Sequence, residues 1–396
     1  YSTSIDYVPN GLPINQVTLW TRNNSSGVHD LKPEFTTTYE VGTDLSFLKD
    51  RLGLSFTWYH SVSKDQILAV QTAASTGFTS ITLNAGAIQN KGVELSVNAT
   101  PVNAGNFSWN IAANFSANKN KVLSIYHGLN DLVVGSEFGY GGASPTFEYV
   151  VGQPVSDIFG SYYLRYYGNG KTGSPLFTDQ SKPMVINNTS TNATKNGFPE
   201  KGPGVRILGN SQPKWNGSIN NSFTYKNWNL SFLIDTRQGI QKYNQLDNFM
   251  SAFGIAKYTE NRDQTIIFPG VYTDGTKNTI PVYLGQGPGP DGKDYTAGYY
   301  RNLYRGVTEN FVQNANWVRL RSLSLSYNFP EKWLKGSFIS RASVSFTGYN
   351  LWLSTPYNGF DPEASDAAAG DPTASMMAGF TYPENRSYMF SVNVTF

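Results

Sequence analysis

The sequence predicts an all-β fold whose strands cross a membrane. The first indication is segment 387–396, in which alternate residues are apolar and share one face of an extended strand: Tyr388, Phe390, Val392, Val394 and Phe396. The positions between them are Ser, Asn or Thr, apart from Met389. A period of two with aromatic residues on the apolar side is typical of a strand between lipid and water.

The composition points in the same direction. Charged residues make up 15% of the 396 residues and aromatic residues 14%, whereas soluble domains carry roughly 25% charged residues. No run approaches the ~18 apolar residues of a membrane-spanning helix. Strands accommodate such a composition, because each apolar side chain alternates with a polar one. The net charge of +2 gives no electrostatic argument for binding nucleic acid.

The clearest hairpin pairs an alternating segment from Phe35 to Phe47 with one from Leu52 to Tyr59, across a turn at Lys49 and Asp50. Both segments reach the ~9–11 residues that span a bilayer at a tilt. The pattern recurs in further segments along the chain: Val93–Ala99, Phe107–Phe115, Phe147–Val151, Ile158–Tyr167, Gly217–Tyr225, Trp228–Ile234, Leu323–Tyr327, Val344–Phe346 and Tyr388–Phe396.

This makes eleven candidate strands of a transmembrane antiparallel β-barrel, with short turns on one side and long loops, including 239–316 and 354–385, on the other. Single-chain bacterial barrels have an even number of strands, and an open sheet edge cannot face lipid. We therefore expect part of a larger barrel instead of a complete passive porin. Residues 1–34 would form an outer loop whose incoming strand precedes Tyr1, and residues 35–396 would continue the barrel.

The segment 317–329 breaks the alternation. Arg319 and Arg321 have the same parity as the apolar residues Leu323 and Leu325. Either a β-bulge near Ser322 switches the faces, or both arginines point outward near the outer rim, where the cost is ~0–1 kcal/mol. The bulge is the preferred interpretation.

Several short motifs, spread over most of the chain, resemble SusC-like TonB-dependent outer-membrane transporters of Bacteroidetes-like Gram-negative bacteria: Leu31-Lys32-Pro33-Glu34, Asn90-Lys91-Gly92-Val93-Glu94-Leu95, Val151-Gly152-Gln153-Pro154, Trp317-Val318-Arg319-Leu320-Arg321, Gly359-Phe360-Asp361-Pro362-Glu363 and Tyr382-Pro383-Glu384-Asn385-Arg386. The resemblance implies a barrel of about 22 strands in the cell outer membrane, surrounded by lipids and lipopolysaccharide. It also implies import of an oligosaccharide or peptide together with a SusD-like surface lipoprotein. The plug domain and the segment that contacts TonB are not in residues 1–396.

No catalytic, cofactor or metal site is predicted, and we expect that the chain is not an enzyme. His29, His60 and His127 lack metal-ligand spacing, and the acidic residues between Asp361 and Asp371 lack that of a calcium loop. The alternative to the transporter is a noncatalytic surface binding or adhesion protein built from β-sandwich modules.

Two sets of residues have predicted roles. Tyr388, Phe390, Val392, Val394 and Phe396 resemble the terminal signal by which barrel-assembly machinery recognises its clients. The loop aromatics are candidate contacts of a ligand or partner: Tyr295, Tyr299, Tyr300, Tyr304, Tyr357 and Phe360. The favoured alternative for the loop aromatics is packing within the loops or docking against a lid protein.

Overall fold

The computed structural model describes residues 7–9, 17–18, 20–22, 25–27, 31–78, 80–126, 129–136, 138–173, 179–364, 377–378 and 382–396. Within them, nine strands form one continuous antiparallel sheet, in which each strand pairs with its neighbour along the chain. They are labelled in chain order: β1 (Phe35–Phe47), β2 (Leu52–Lys64), β3 (Gly86–Ala104), β4 (Phe107–Ile125), β5 (Trp215–Tyr225), β6 (Trp228–Gln238), β7 (Trp317–Asn328), β8 (Arg341–Ser354) and β9 (Ser387–Thr395). The predicted antiparallel meander is thereby confirmed for these strands.

The strand register separates apolar from polar side chains. One row across β1 to β8 is entirely apolar: Leu45, Leu54, Val97, Ala113, Ile219, Ile234, Leu320 and Trp352. We call this face the outer face, and the opposite one the inner face. The neighbouring inner row across β1 to β7 is polar: Asp44, Ser55, Ser96, Asn114, Ser218, Asp235 and Arg319.

The connections differ in length at the two ends of the sheet. At the short-turn end, they span residues 48–51, 105–106, 226–227 and 329–340; at the long-loop end, they span 65–85, 126–214, 239–316 and 355–386. Gly105 supplies the positive φ, 57°, that its tight turn requires. β9 ends at the short-turn end, where the ring of Phe396 stacks 5.5 Å from that of Phe338.

Two of the eleven predicted membrane strands, Phe147–Val151 and Ile158–Tyr167, are wrong, because the strands found there do not join the nine-stranded sheet. Thr146–Val150 and Asp157–Gly160 lie in a separate four-stranded sheet with Asp131–Ser136 and Arg206–Asn210. These strands have only four to six residues, too few to cross a bilayer. Asp157–Gly160 is buried on both faces. The alternation there reflects packing inside the loops and not exposure to lipid.

The predicted bounds of β3 and β4 were too short. β3 begins at Gly86 instead of Val93, and β4 ends at Ile125 instead of Phe115. In these extensions Gln89, Lys91, Lys119 and Lys121 occupy outward positions, so the search for apolar alternation stopped before the strands did.

The bulge predicted near Ser322 is confirmed. Leu233 pairs with Ser322 while the adjacent Ile234 pairs with Leu320, so that Arg321 is an additional residue in β7. The register with β8 shifts at the same place. The bulge puts Leu320 on the outer face and Arg319 on the inner face.

The remaining elements lie before β1 or in the connections between the strands of the sheet. The short strands are Tyr7–Pro9, Trp20–Arg22, Ser25–Gly27, Ile67–Gln71, Ser80–Asn84, Arg165–Gly168, Lys171–Gly173, Gln241–Asn244, Thr265–Ile266, Val282–Tyr283, Val312–Asn314 and Met377–Ala378. The α-helices are Gln245–Ala252, Gly298–Asn302 and Glu331–Leu334, and the 3₁₀ turns are Ala74–Thr76, Lys257–Asn261, Tyr304–Gly306 and Thr308–Phe311. In the part of the chain that the structure describes, no helix has the length and apolarity needed to cross a membrane.

The long connections pack against one another and contain most of the hydrophobic core. Phe147 and Ile158 of connection 126–214 are fully buried against Tyr243 and Phe311 of connection 239–316. We call the packed connections the loop layer. The outer face of the sheet, in contrast, remains uncovered by the described residues: Phe390 is 68% exposed. The β-sandwich alternative is therefore wrong for this part of the chain, because a sandwich buries such a face against a second sheet.

Candidate functional site

The inner face of the sheet is a wall of small polar side chains that bond to one another across the strands. Ser96 donates to Asn114 over 2.8 Å, and Asn118 donates to Asn90 over 3.1 Å. The hydroxyl groups of Ser324 and Thr347 lie 2.8 Å apart. A polar interior with an apolar exterior is the arrangement of a barrel with a hydrated lumen.

Three arginines surround one tryptophan where this wall meets the loop layer. The guanidinium groups of Arg237, Arg319 and Arg321 lie 5.7, 5.6 and 5.4 Å from the ring centroid of Trp317. Trp317 and Arg319 are each only 2% exposed. We call these four residues the arginine cluster. The β7 bulge creates it, because without the additional residue Arg319 would point to the outer face.

Carboxylates of connection 355–386 neutralise the arginine cluster. Arg319 lies 2.6 Å from Asp361 and 3.2 Å from Glu363, while Arg321 lies 2.8 Å from Glu363. Glu384, at the other end of the connection, is 3.2 and 3.3 Å from the same two arginines. The connection is therefore tied to the wall near both of its ends.

A second buried ion pair joins connections 126–214 and 239–316. Arg165 pairs with Glu309, and both side chains are less than a tenth exposed. Glu309 also accepts a hydrogen bond from the backbone N–H of Tyr163 over 2.8 Å. Burial raises the pKa of Glu309, although the adjacent Arg165 opposes that shift.

Asp157 is an isolated buried acid in the same layer. Its Oδ1 accepts a hydrogen bond from Asn210 over 2.7 Å, but Oδ2 finds no partner among the described residues. Burial raises the pKa of Asp157 to about 6. The ionised form of Asp157 therefore opposes folding of the loop layer at neutral pH.

The candidate loop aromatics occupy different environments. Tyr295 and Tyr299 are buried with Phe198 and Phe268, and Tyr357 is buried with Ile240 and Ala315. Tyr300 and Tyr304 are half-buried. Phe360 is 60% exposed. Packing inside the loops, the favoured alternative, thus describes Tyr295, Tyr299 and Tyr357, while Phe360 presents a free ring surface.

Two clefts adjoin these groups. One of about 480 Å³ lies at the arginine cluster and is lined by Glu94, Asn114, Asp235, Arg237 and Trp317, among others. We call it the wall cleft. The other, of about 470 Å³, lies in connection 239–316 beside Tyr283, Arg262, Asp263, Tyr300 and Arg301. Both offer carboxylate, guanidinium and aromatic groups together.

Sequence analysis did not single out the wall cleft. A signal was present, however: Glu94 is an acidic residue at a polar position of the predicted strand Val93–Ala99, and Asp235 directly follows the predicted strand Trp228–Ile234. What the sequence did not contain was the register that places them in adjacent rows.

Residues 1–351 match the family described as "TonB dependent receptor-like, beta-barrel". The chain belongs to this family of TonB-dependent receptors. TonB-dependent receptor P3 of Formosa agariphila is 26% identical over 373 residues, which are 93% of this chain and 34% of that protein. TonB-dependent receptor SusC of Bacteroides thetaiotaomicron is 22% identical over 373 residues, 93% of this chain and 32% of that protein.

The chain thus spans about a third of the length of these receptors. A solved structure of the RagAB peptide transporter matches the whole chain with a TM-score of 0.67 at 18% identity, and the match covers 39% of that structure's chain. This similarity shows a shared fold. Together these matches confirm the predicted resemblance, the outer-membrane β-barrel class and the location in the outer membrane. They also confirm that the chain is not an enzyme, because its homologues are receptors.

Four residues of the predicted assembly signal, Tyr388, Phe390, Val392 and Val394, lie on the outer face of β9, and Phe396 directly follows the strand. Phe390 pairs with Phe346, and Val392 pairs with Val344. The ring of Tyr388 stacks 6.0 Å from that of Phe346. The five side chains thus extend the apolar surface to the edge of the sheet, and their role in assembly stays a prediction.

The described residues contain no group of three or more His, Asp or Glu side chains that could hold a metal ion. His60 lies 2.7 Å from Gln89, Nε2 to Nε2. His29, His127, Asp366 and Asp371 lie outside the described residues.

Proposed function

We propose that this chain forms wall and outer loops of a TonB-dependent transporter that imports an oligosaccharide or a peptide. The observation that carries the proposal is the wall cleft, in which charged and aromatic groups lie on the polar inner face beneath a tethered connection. Aromatic rings stack on sugars and on peptide side chains, while paired charges bind hydroxyl, amide and carboxylate groups.

The sheet would be one part of a larger closed barrel of about 22 strands. β1 and β9 are the edges of the described sheet, and the side chains on both faces of β1 are exposed. In lipid, such edges must pair with further strands. Residues 1–34 would then form an outer loop that leads into the barrel part, 35–396. Short turns face the periplasm and long loops face the outside in such barrels.

The loop layer would contact a SusD-like surface lipoprotein, mainly through the predicted loops 239–316 and 354–385. Strand side chains are committed to lipid or lumen, so the loops are free to form a docking surface. The exposed ring of Phe360 is one candidate contact. The contact with TonB would be made by parts of the receptor outside this chain.

The proposal leaves two alternative substrate classes, an oligosaccharide or a peptide. The RagAB structure is that of a peptide transporter, but at 18% identity it supports the fold and not the choice of substrate.

Uptake of labelled oligosaccharides and peptides by cells that produce the full-length receptor tests the proposal. We expect one class to accumulate, and a protonophore to abolish accumulation while surface binding remains. Accumulation that persists with the protonophore would contradict active import. Surface binding with no accumulation of either class would contradict import of both substrate classes.

A pair of matched variants tests the wall cleft. Glu94→Gln removes a carboxylate of the cleft, whereas Glu40→Gln removes an exposed carboxylate from the same face, on β1 and outside the cleft. We expect the first variant to raise the half-saturating substrate concentration severalfold and the second to leave it unchanged. Equal values for both variants would move the substrate contacts away from this cleft.

A further inference from the structure

The carboxylates of the nine strands share the inner face with arginines such as Arg237 and Arg319, whereas the charged residues of the outer face are lysines only. All the carboxylates of these strands point to the inner face: Glu40, Asp44, Glu94 and Asp235. The charged side chains of the outer face are all lysines: Lys64, Lys91, Lys119 and Lys121. Positive charge is therefore the only charge on the outer face of the nine strands, and it lies at the long-loop end.

Three of these lysines form a compact group, the lysine patch, consisting of Lys91, Lys119 and Lys121. Lys91 and Lys119 are direct cross-strand partners, and Lys121 lies in the next outer row, opposite Gln89. All three are exposed. Ion pairs among the described residues do not involve any of them. Like charges directly opposite one another destabilise a sheet, so an external anion at this position would relieve a real repulsion.

The lysine patch lies about one membrane thickness from the aromatic residues of the short-turn end. There, the rings of Trp228 and Tyr327 lie 4.7 Å apart on the outer face, in the row of Phe107. Lys119 lies twelve residues beyond Phe107 along β4. At ~3.3 Å per residue and a tilt of ~40°, this corresponds to ~30 Å along the membrane normal. The hydrocarbon core is ~30 Å thick, so the lysines reach the headgroups on the long-loop side.

We propose that the lysine patch binds the phosphate groups of lipid A, the phosphorylated lipid of the outer leaflet. The proposal rests on the orientation in the proposed function, with the long loops outside. Phosphate complements a group of unpaired ammonium ions, since lysine binds phosphate as a point charge. The acyl chains of the same molecule would cover the apolar rows directly below, such as that of Val93 and Ala117. The patch thereby acts as a lipid-binding site on the outside of the barrel.

The test uses the full-length receptor in nanodiscs and measures bound lipid by native mass spectrometry. The added lipids are lipid A, dephosphorylated lipid A and phosphatidylglycerol. We expect retention of lipid A above that of the other two, falling at high salt because ionic strength screens the attraction. Equal retention of lipid A and its dephosphorylated form by the unmodified receptor would overturn the proposal.

Two triple variants with the same change in charge locate the site. Lys91→Gln/Lys119→Gln/Lys121→Gln removes the patch, and Lys195→Gln/Lys257→Gln/Lys277→Gln removes three exposed lysines of the loop layer. We expect lipid A affinity to fall about ten- to a hundredfold in the first variant only, given the contribution of each lysine near an anionic surface. The corresponding Lys→Arg patch variant should retain binding. Equal losses in both Gln variants, or no loss in either, would overturn the assignment.

Substrate uptake by the same variants keeps this proposal separate from the transport function. If the receptor imports nothing but binds lipid A through the patch, the transport proposal fails and the lipid site stands. If uptake is normal and lipid A binding is insensitive to the patch, the reverse holds.

Discussion

Replacing Arg319 by Met should release connection 355–386 from the barrel wall. Arg319 is 2% exposed and lies 2.6 Å from Asp361, whose side chain is only 3% exposed. Met keeps much of the side-chain volume and its packing against Trp317, but it removes the charge that compensates the buried carboxylate. The change therefore isolates the electrostatic tether from the packing.

The expected magnitude follows from the burial of both partners. Removing one partner of a buried ion pair costs about 3–5 kcal/mol, because the other charge stays buried without compensation. Asp361 retains one hydrogen bond, from the backbone N–H of Glu363 over 2.9 Å, so the lower part of this range applies. At about 1.4 kcal/mol per factor of ten, local opening should become about a hundredfold more frequent.

Hydrogen exchange of peptides covering residues 355–364 measures this opening. The matched control is Arg237→Met: its side chain is 49% exposed and 3.9 Å from Glu363, so the loss should be within about 1 kcal/mol. The double variant Arg319→Met/Asp361→Leu should recover most of the protection, because apolar replacement of a whole buried pair is often neutral. Equal exchange in Arg319→Met and Arg237→Met would refute the tether.

Three further predictions concern the loop layer and the last strand. Asp157→Asn should stabilise segment 146–160 against hydrogen exchange above pH 6 and have no effect below pH 4. The reason is that burial raises the pKa of Asp157 from 3.8 to about 6. The free-energy cost of ionising Asp157 in the folded state is therefore absent below pH 3.8 and complete, at about 3 kcal/mol, above pH 6. Equal protection of parent and variant at pH 8 would contradict this. Phe311→Ala should lower the stability of the loop layer by about 3–5 kcal/mol, since Phe311 is fully buried. Phe360 is exposed, so Phe360→Ala should change the stability by less than about 0.5 kcal/mol. Equal resistance of both variants to proteolysis would count against a core around Phe311. Phe396→Ser should reduce the heat-modifiable, membrane-inserted receptor by removing outer apolar surface at the last strand, with Phe338→Ser, which alters the stacked partner outside the strand, as the control; unchanged insertion of Phe396→Ser would argue against an assembly role.

The parts of the fold that depend on local alternation were predictable from the sequence. The two-residue period of Phe35–Phe47 and the parity break at Arg319 and Arg321 fixed strands, faces and a bulge, because one-residue shifts exchange the two sides of a strand. The loop layer was not predictable in this way. Its contacts join residues far apart in sequence, such as Arg165 and Glu309, and no local pattern encodes that partnership.

The same limit explains the misassigned hairpin and the missed wall cleft. Alternation in Phe147–Val151 has the same appearance whether the covered side meets lipid or the inside of a folded loop. Only the short length of the strands distinguishes the two cases. The wall cleft needed the pairing of β3 to β7, which no single strand specifies.

The loop layer and the sheet keep their apolar side chains away from water by different means. The loop layer buries Phe147, Tyr243 and Phe311 against one another, while the outer face of the sheet depends on surrounding acyl chains for its cover. The two parts are therefore solvated independently, and changes in the loops leave the lipid contact of the wall untouched. The sequence of the loop layer can thus diverge while the lipid-facing surface of the sheet remains the same.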